Sequence, residues 1–79
     1  HDTIQVQGMA DCVLVETEGL VIIDYKTDYI KQINELLDKY HRQLELYARA
    51  LSESFQQPVK ACFLYSITLA EAVEIKLKN

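Results

Sequence analysis

Seventy-nine residues, 49% hydrophobic and 25% charged with only two glycines and one proline, describe one small globular core and exclude a disordered or membrane-spanning chain. Eight Lys and Arg against twelve Asp and Glu leave a net charge of −4, which excludes a protein that holds nucleic acid by charge alone. A polyanionic partner therefore needs help from a metal or from another domain.

The elements follow in chain order. Residues 4–7 alternate apolar and polar, and residues 9–16 and 20–26 are β-branched runs separated by turn residues, so three strands come first. Thr17-Glu18-Gly19 is long enough only for a hairpin, which makes the second and third strands antiparallel neighbours. From residue 32 to 55 the period changes. Ile33, Leu36, Leu37, Tyr40, Leu44, Tyr47, Ala48, Leu51 and Phe55 recur at three and four, as one long amphipathic helix requires. Pro58 closes that helix, and residues 59–67 and 72–77 read as two more strands with a turn at 69–71. The order βββαββ predicts a mixed α/β sheet, with the helix crossing over between the third and fourth strands and covering one face.

At this length a single core gives little net stability, and a chain that opens on His1 rather than Met reads as a segment of a longer protein. Its apolar stretches fall short of the roughly 20 residues that span a bilayer, and no secretory leader is visible, so a cytoplasmic location is expected. Cys12 and Cys62 both lie in apolar runs. They are too few for a disulfide-dense scaffold or a four-thiolate metal site and read as buried thiols.

The third strand ends unusually. After Leu20-Val21-Ile22-Ile23 come Asp24 and Lys26, two residues apart and so on the face of Ile22. A two-residue loop at Thr17-Glu18 sets Asp11 opposite Asp24, whereas a loop at Glu18-Gly19 sets Asp11 opposite Lys26. Either even-length loop gathers Asp11, Asp24 and Lys26 on one face, and a three-residue loop or a bulge separates Asp11 from the others. Two carboxylates opposed across strands stand about 5 Å apart and repel unless a cation lies between them. Hard oxygen ligands suit Mg²⁺ or Mn²⁺, and the chemistry such a group serves is phosphodiester hydrolysis, with Lys26 countering charge or handling the attacking water. The plainer alternative is a solvated strand end.

Three segments carry a resemblance: Val6-Gln7-Gly8-Met9-Ala10-Asp11, then residues 20–27 ending in Asp24-Tyr25-Lys26-Thr27, then Tyr40-His41-Arg42-Gln43-Leu44-Glu45-Leu46-Tyr47. In that order G-x-x-D, D-Y-K-T and Q-x-x-x-Y resemble the RecB-type nuclease domain of the PD-(D/E)XK superfamily, and within it the C-terminal nuclease domain of the AddA family. The resemblance implies a restriction-endonuclease-like sheet and a Mg-dependent DNA exonuclease in a helicase-nuclease of double-strand-break repair. It implies that Asp11, Asp24 and the main-chain carbonyl of Tyr25 bind the metal, that Lys26 is the catalytic lysine, and that Gln43 and Tyr47 support the site and contact DNA. The implied partners are DNA, single-stranded by expectation, the helicase domains of a parent chain and an AddB-type partner.

RecB-type domains take a further ligand, usually His, from a helix before the first strand. That helix is not among these residues, so residues 1–79 read as a partial nuclease domain. His1 begins the first strand and His41 lies on the polar side of the helix; neither is favoured as that ligand. Lys31, Lys39, Arg42 and Arg49 are candidates for phosphate contacts, but intrahelical pairs with Glu35, Asp38, Glu45 and Glu53 explain most of them. Tyr25 and Tyr29 flank Lys26, where either a stacked base or the core is a fitting neighbour. Two alternatives remain: a catalytically inactive scaffold or DNA-docking module, and a stand-alone Cas4-like exonuclease, whose four-cysteine cluster Cys12 and Cys62 cannot build.

Overall fold

A computed structural model describes the backbone of residues 2–6 and 11–77 and the side chains of residues 12–77. The strands β1 (Asp2–Val6), β2 (Asp11–Glu16) and β3 (Gly19–Lys26) precede the helix α1 (Asn34–Phe55), and β4 (Val59–Ser66) and β5 (Glu71–Glu74) follow it. They form one five-stranded mixed sheet in the order β1-β2-β3-β4-β5, parallel between β3 and β4 and antiparallel elsewhere. A parallel pair needs a crossover, and α1 is that crossover.

The β2–β3 turn is Thr17-Glu18, which pairs Glu16 with Gly19 and carries the ladder to Asp11 opposite Asp24. Neither turn residue has a positive φ, and the chain reversal falls instead on Gly19 at φ 145°. Leu20 N–H donates to the Pro58 carbonyl at 2.8 Å, so the start of β3 is pinned against the start of β4. A Cβ on Gly19 would lie 2.7 Å from that same carbonyl oxygen. The β3–β4 register slips once, where Lys60 bulges between Val59 and Ala61, and Lys60 Nζ reaches Glu16 Oε1 at 3.1 Å.

The core lies between one sheet face and α1. Leu36, Leu44 and Ala48 of α1 pack with Ile22, Cys62, Leu64 and Ile75, and Ile33, Leu37, Tyr40, Tyr47 and Leu51 complete the cluster. Cys62 is buried as expected, but Cys12 is half-buried because it alternates with buried Val13 and belongs to the opposite face. The elements differ from the sequence reading mainly at their ends. Met9 and Ala10, expected to open β2, lie outside the described residues, as do Gln7 and Gly8. The helix starts at Asn34 rather than at residue 32, because the Glu35 carboxylate accepts the backbone N–H groups of Lys31 and Gln32 at 2.7 and 2.8 Å and fixes them in the preceding turn. It ends in a left-handed Gln56, with Gln57 N–H bonded to Ser52 O and Gln56 N–H to Glu53 O, ahead of Pro58. The β4–β5 turn occupies residues 67–70, and β5 is shorter than expected; beyond it Ile75 N–H still donates to Cys62 O at 2.8 Å, which draws Ile75 into the core.

Gly19→Ala is expected to cost about 1–3 kcal/mol, since any side chain there meets the Pro58 carbonyl in a backbone region that L-residues avoid. Thermal unfolding followed by circular dichroism checks this, and an unchanged midpoint would contradict it.

Candidate active site

Strand alternation builds the site. Leu20 and Ile22 are fully buried, and the same face continues to Asp24, which is only 3% exposed. The run of apolar burial thus ends on a carboxylate. Lys26, the next residue on that face, places Nζ 3.1 Å from Asp24 Oδ2, and both side chains are largely withdrawn from solvent. A buried carboxylate without a cation is costly, and removing one member of such a pair strands the other, at about 3–5 kcal/mol. On one side Asp24 has Asp11 as its antiparallel ladder partner; on the other Asp24 and Lys26 register with Leu64 and Ser66 of β4. The site therefore lies at the carboxyl ends of the two parallel strands, where open α/β sheets receive their ligands.

The helix supplies the second wall. The Lys26 ammonium sits 4.1 Å from the centroid of the Tyr40 ring, a cation–π distance. The Tyr40 hydroxyl donates to Asp28 Oδ2 at 2.9 Å, and Lys39 Nζ donates to the same oxygen at 2.7 Å. Lys39 holds the Asp28 carboxyl below its ordinary range, with the Tyr40 bond adding to the effect, and Asp28 in turn raises the Lys39 ammonium. Two turns are fastened to the same strand end. Thr68 Oγ1 donates to the Asp28 carbonyl at 2.8 Å, Ile67 N–H to the Lys26 carbonyl at 2.9 Å, and buried Ser66 Oγ accepts Leu69 N–H at 3.0 Å.

Of the residues expected at the site, Asp24 and Lys26 are in contact, and the backbone of Asp11 stands opposite Asp24. Tyr25 alternates to the other face, where its ring meets Tyr65 edge-on at 5.7 Å, and Tyr29 is 97% exposed. Tyr47 packs against the core, but Gln43 is exposed on α1 rather than partly sheltered at the stripe edge, because the inward-facing rows run through Leu36, Tyr40, Leu44, Tyr47 and Ala48. His41 pairs with Glu45 at 3.3 Å, whereas His1 lies outside the described residues. Among the described residues, no three His, Cys, Asp or Glu side chains are grouped to hold a metal.

The helical charges differ from expectation. Lys39 leaves the helix surface to bond Asp28, Glu35 serves the Lys31 backbone, and among the described residues no ion pair joins Arg42 or Arg49 to Glu45 or Glu53. Sequence reasoning missed Asp28, and it took Tyr40 only as a core residue. Their sole sequence signal is an acid two positions after Lys26; the spacing from Asp28 to Lys39 and Tyr40 follows no local period.

The matching family model is the PD-(D/E)XK nuclease superfamily, over residues 1–77, and the chain belongs to that superfamily. Its curated relatives include the AddA-type ATP-dependent helicase/nuclease of Thermoanaerobacter sp. (strain X514), 43% identical over 67 residues, covering 82% of this chain and 5% of the relative. The proteins of the same name from Clostridium novyi and Oceanobacillus iheyensis are 40% and 32% identical, covering 96% and 100% of this chain and 6% and 7% of the relatives. The chain thus spans a small fraction of the proteins it matches. Among the described residues no helix is long and apolar enough to cross a membrane.

The Asp28–Lys39 bond has a defined pH range. A depressed Asp28 stabilises the fold fully above its ordinary value of 3.8 and loses that contribution as pH falls through the lower folded value; a raised Lys39 contributes below 10.5 and is lost above it. The melting-temperature gap between wild type and Asp28→Asn is therefore expected to be flat from about pH 5 to 9 and to narrow below pH 3.8. A gap that persists undiminished in strong acid would contradict it.

Proposed function

We propose that this chain carries the metal-dependent DNA nuclease site of an AddA-type helicase-nuclease. The observation that carries the reading is the buried Asp24–Lys26 pair at the end of β3, with Asp11 as ladder partner, in a chain of this superfamily. The donor set fits a hard divalent cation: opposed ladder positions lie on one face, and Asp24 presents a carboxylate withdrawn from water, where a cation is its natural complement.

In this reading Asp11, Asp24 and the Tyr25 carbonyl hold Mg²⁺, with Mn²⁺ an acceptable substitute. The metal, when bound, polarises the phosphoryl oxygen and acidifies the attacking water. Lys26 donates hydrogen bonds to that water and to a non-bridging phosphate oxygen, aligning the first and offsetting the charge that grows on the second. Water adds to phosphorus as the bond to the leaving oxygen breaks, and that oxygen takes up a proton. Gln43 and Tyr47 lie on the helix beside the site, and exposed Gln43 suits a contact with DNA better than a supporting role in the core.

The net charge of −4 supports delivery of DNA by other domains rather than capture by this one. The parent's helicase domains would feed single-stranded DNA to the site, beside an AddB-type partner, for exonucleolytic processing in double-strand-break repair, a cytoplasmic role. Residues 1–79 would be part of that nuclease domain.

In the full helicase-nuclease, Lys26→Ala is expected to lower DNA cleavage by about 10²-fold or more while ATP hydrolysis continues. Calorimetric titration with Mg²⁺ is expected to lose its heat in Asp24→Ala. Cleavage retained by Lys26→Ala would overturn the assignment of the lysine, and undiminished Mg²⁺ binding by Asp24→Ala that of the ligand.

A further inference from the structure

The Lys26 side chain has two neighbours of different kinds. Asp24 Oδ2 is a charged acceptor at 3.1 Å, and the Tyr40 ring is a neutral face with its centroid 4.1 Å from Nζ. On the proposed reading Asp24 is also a metal ligand, so its charge is divided once a divalent ion arrives, and its hold on Lys26 weakens when the lysine must act. A second carboxylate in place of the ring would compete for the metal or draw the ammonium away from phosphate. An aromatic face does neither: it attracts the cation through its quadrupole, binds no hard metal and leaves the ammonium protons free to donate elsewhere.

The ring is itself fixed. Its hydroxyl is bonded to Asp28 Oδ2 at 2.9 Å; that carboxylate is held by Lys39 at 2.7 Å, and the Asp28 backbone by Thr68 at 2.8 Å. Tyr40 belongs to the apolar row that packs on the core, so its body is anchored as well as its tip. Lys39 also lies 5.2 Å from the ring centroid, but its bond is to Asp28, which leaves the closer position to Lys26.

We infer that Tyr40 is a positioning residue for Lys26, holding its ammonium against the aromatic face, and that Asp28 with Lys39 sets the angle of that ring. This rests on the reading of Lys26 as the catalytic lysine. The arrangement separates two functions that a single ion pair would merge: Asp24 provides the local negative charge, and Tyr40 keeps the lysine in place when that charge is shared.

The test uses the full helicase-nuclease and measures kcat and KM for cleavage of single-stranded DNA, with ATP hydrolysis and thermal unfolding as controls for integrity. Tyr40→Leu keeps an apolar side chain and removes the ring; it is expected to lower kcat about three- to thirtyfold with KM unchanged, and Tyr40→Phe to recover most of the loss. Asp28→Asn is expected to lower kcat when Tyr40 is present and to have little further effect in Tyr40→Phe, where the hydroxyl it orients is gone. A purely structural role predicts lower melting temperatures with intact turnover and no such coupling.

Wild-type kcat in a folded Tyr40→Leu protein would overturn the inference, as would equal effects of Asp28→Asn in the two backgrounds. If Tyr40→Leu does not fold, the Asp28→Asn and Tyr40→Phe cycle decides alone. Lys26→Ala separates the two levels: cleavage retained there refutes the catalytic lysine and this inference with it, whereas a dead Lys26→Ala beside a fully active Tyr40→Leu refutes the positioning role only.

Discussion

Burying the carboxylate of Asp24 at the end of an otherwise apolar strand commits the surrounding chain to supply positive charge, because an ion removed from water costs several kcal/mol unless it is paired. Lys26 meets part of that demand from two residues away, close enough for the pair to share one strand face and one side of the sheet. Neither residue explains the other's burial. An apolar pair of similar volume would suit a core at least as well. A charged pair held at this position is therefore better understood by what it can bind than by the stability it adds.

The topology decides where that pair opens. Strands β3 and β4 run parallel because α1 returns the chain across the sheet, so both strands end on the same side, and the segments leaving them converge. Those segments are stitched together by the bonds from Ile67 to Lys26 and from Thr68 to Asp28. The crossover also presents Tyr40, whose ring closes over Lys26 while its neighbour Lys39 reaches down to Asp28. One helix thus covers the core with one row of residues and helps to enclose the site with its first turns.

How far the sequence is legible follows from the kind of information that periodicity holds. Alternation reports faces: Asp24 and Lys26 share the face of Ile22, and the structure agrees. Turn length reports register, and of the open choices the loop at Thr17-Glu18 is the one adopted, which sets Asp11 against Asp24. Periods say nothing about partners that meet across loops. Asp28 with Lys39 and Tyr40, or Thr68 with the Asp28 carbonyl, are tertiary contacts invisible to any local pattern. For the same reason the expected intrahelical pairing of Lys39 fails: an exposed helical ion pair is worth only a few tenths of a kcal/mol and yields readily to a better-placed acceptor. The short β5, the late start of α1 and the half-buried Cys12 are smaller departures, each settled by a hydrogen bond or by face alternation.

The acidic balance of the chain and the basic character of the site are compatible once distance is considered. A net charge of −4 acts weakly on a phosphate more than about 10 Å away at ordinary ionic strength, since screening removes most of it. Within the site, by contrast, Lys26 is shielded from salt by burial, and its field is felt at short range. Recognition of a polyanion by such a domain must be local and must depend on being handed its substrate. A site of this kind gains little from surface charge and much from accurate placement of its one lysine, and the packing of Tyr40 against Lys26, with Asp28 and Lys39 behind it, is directed at that placement.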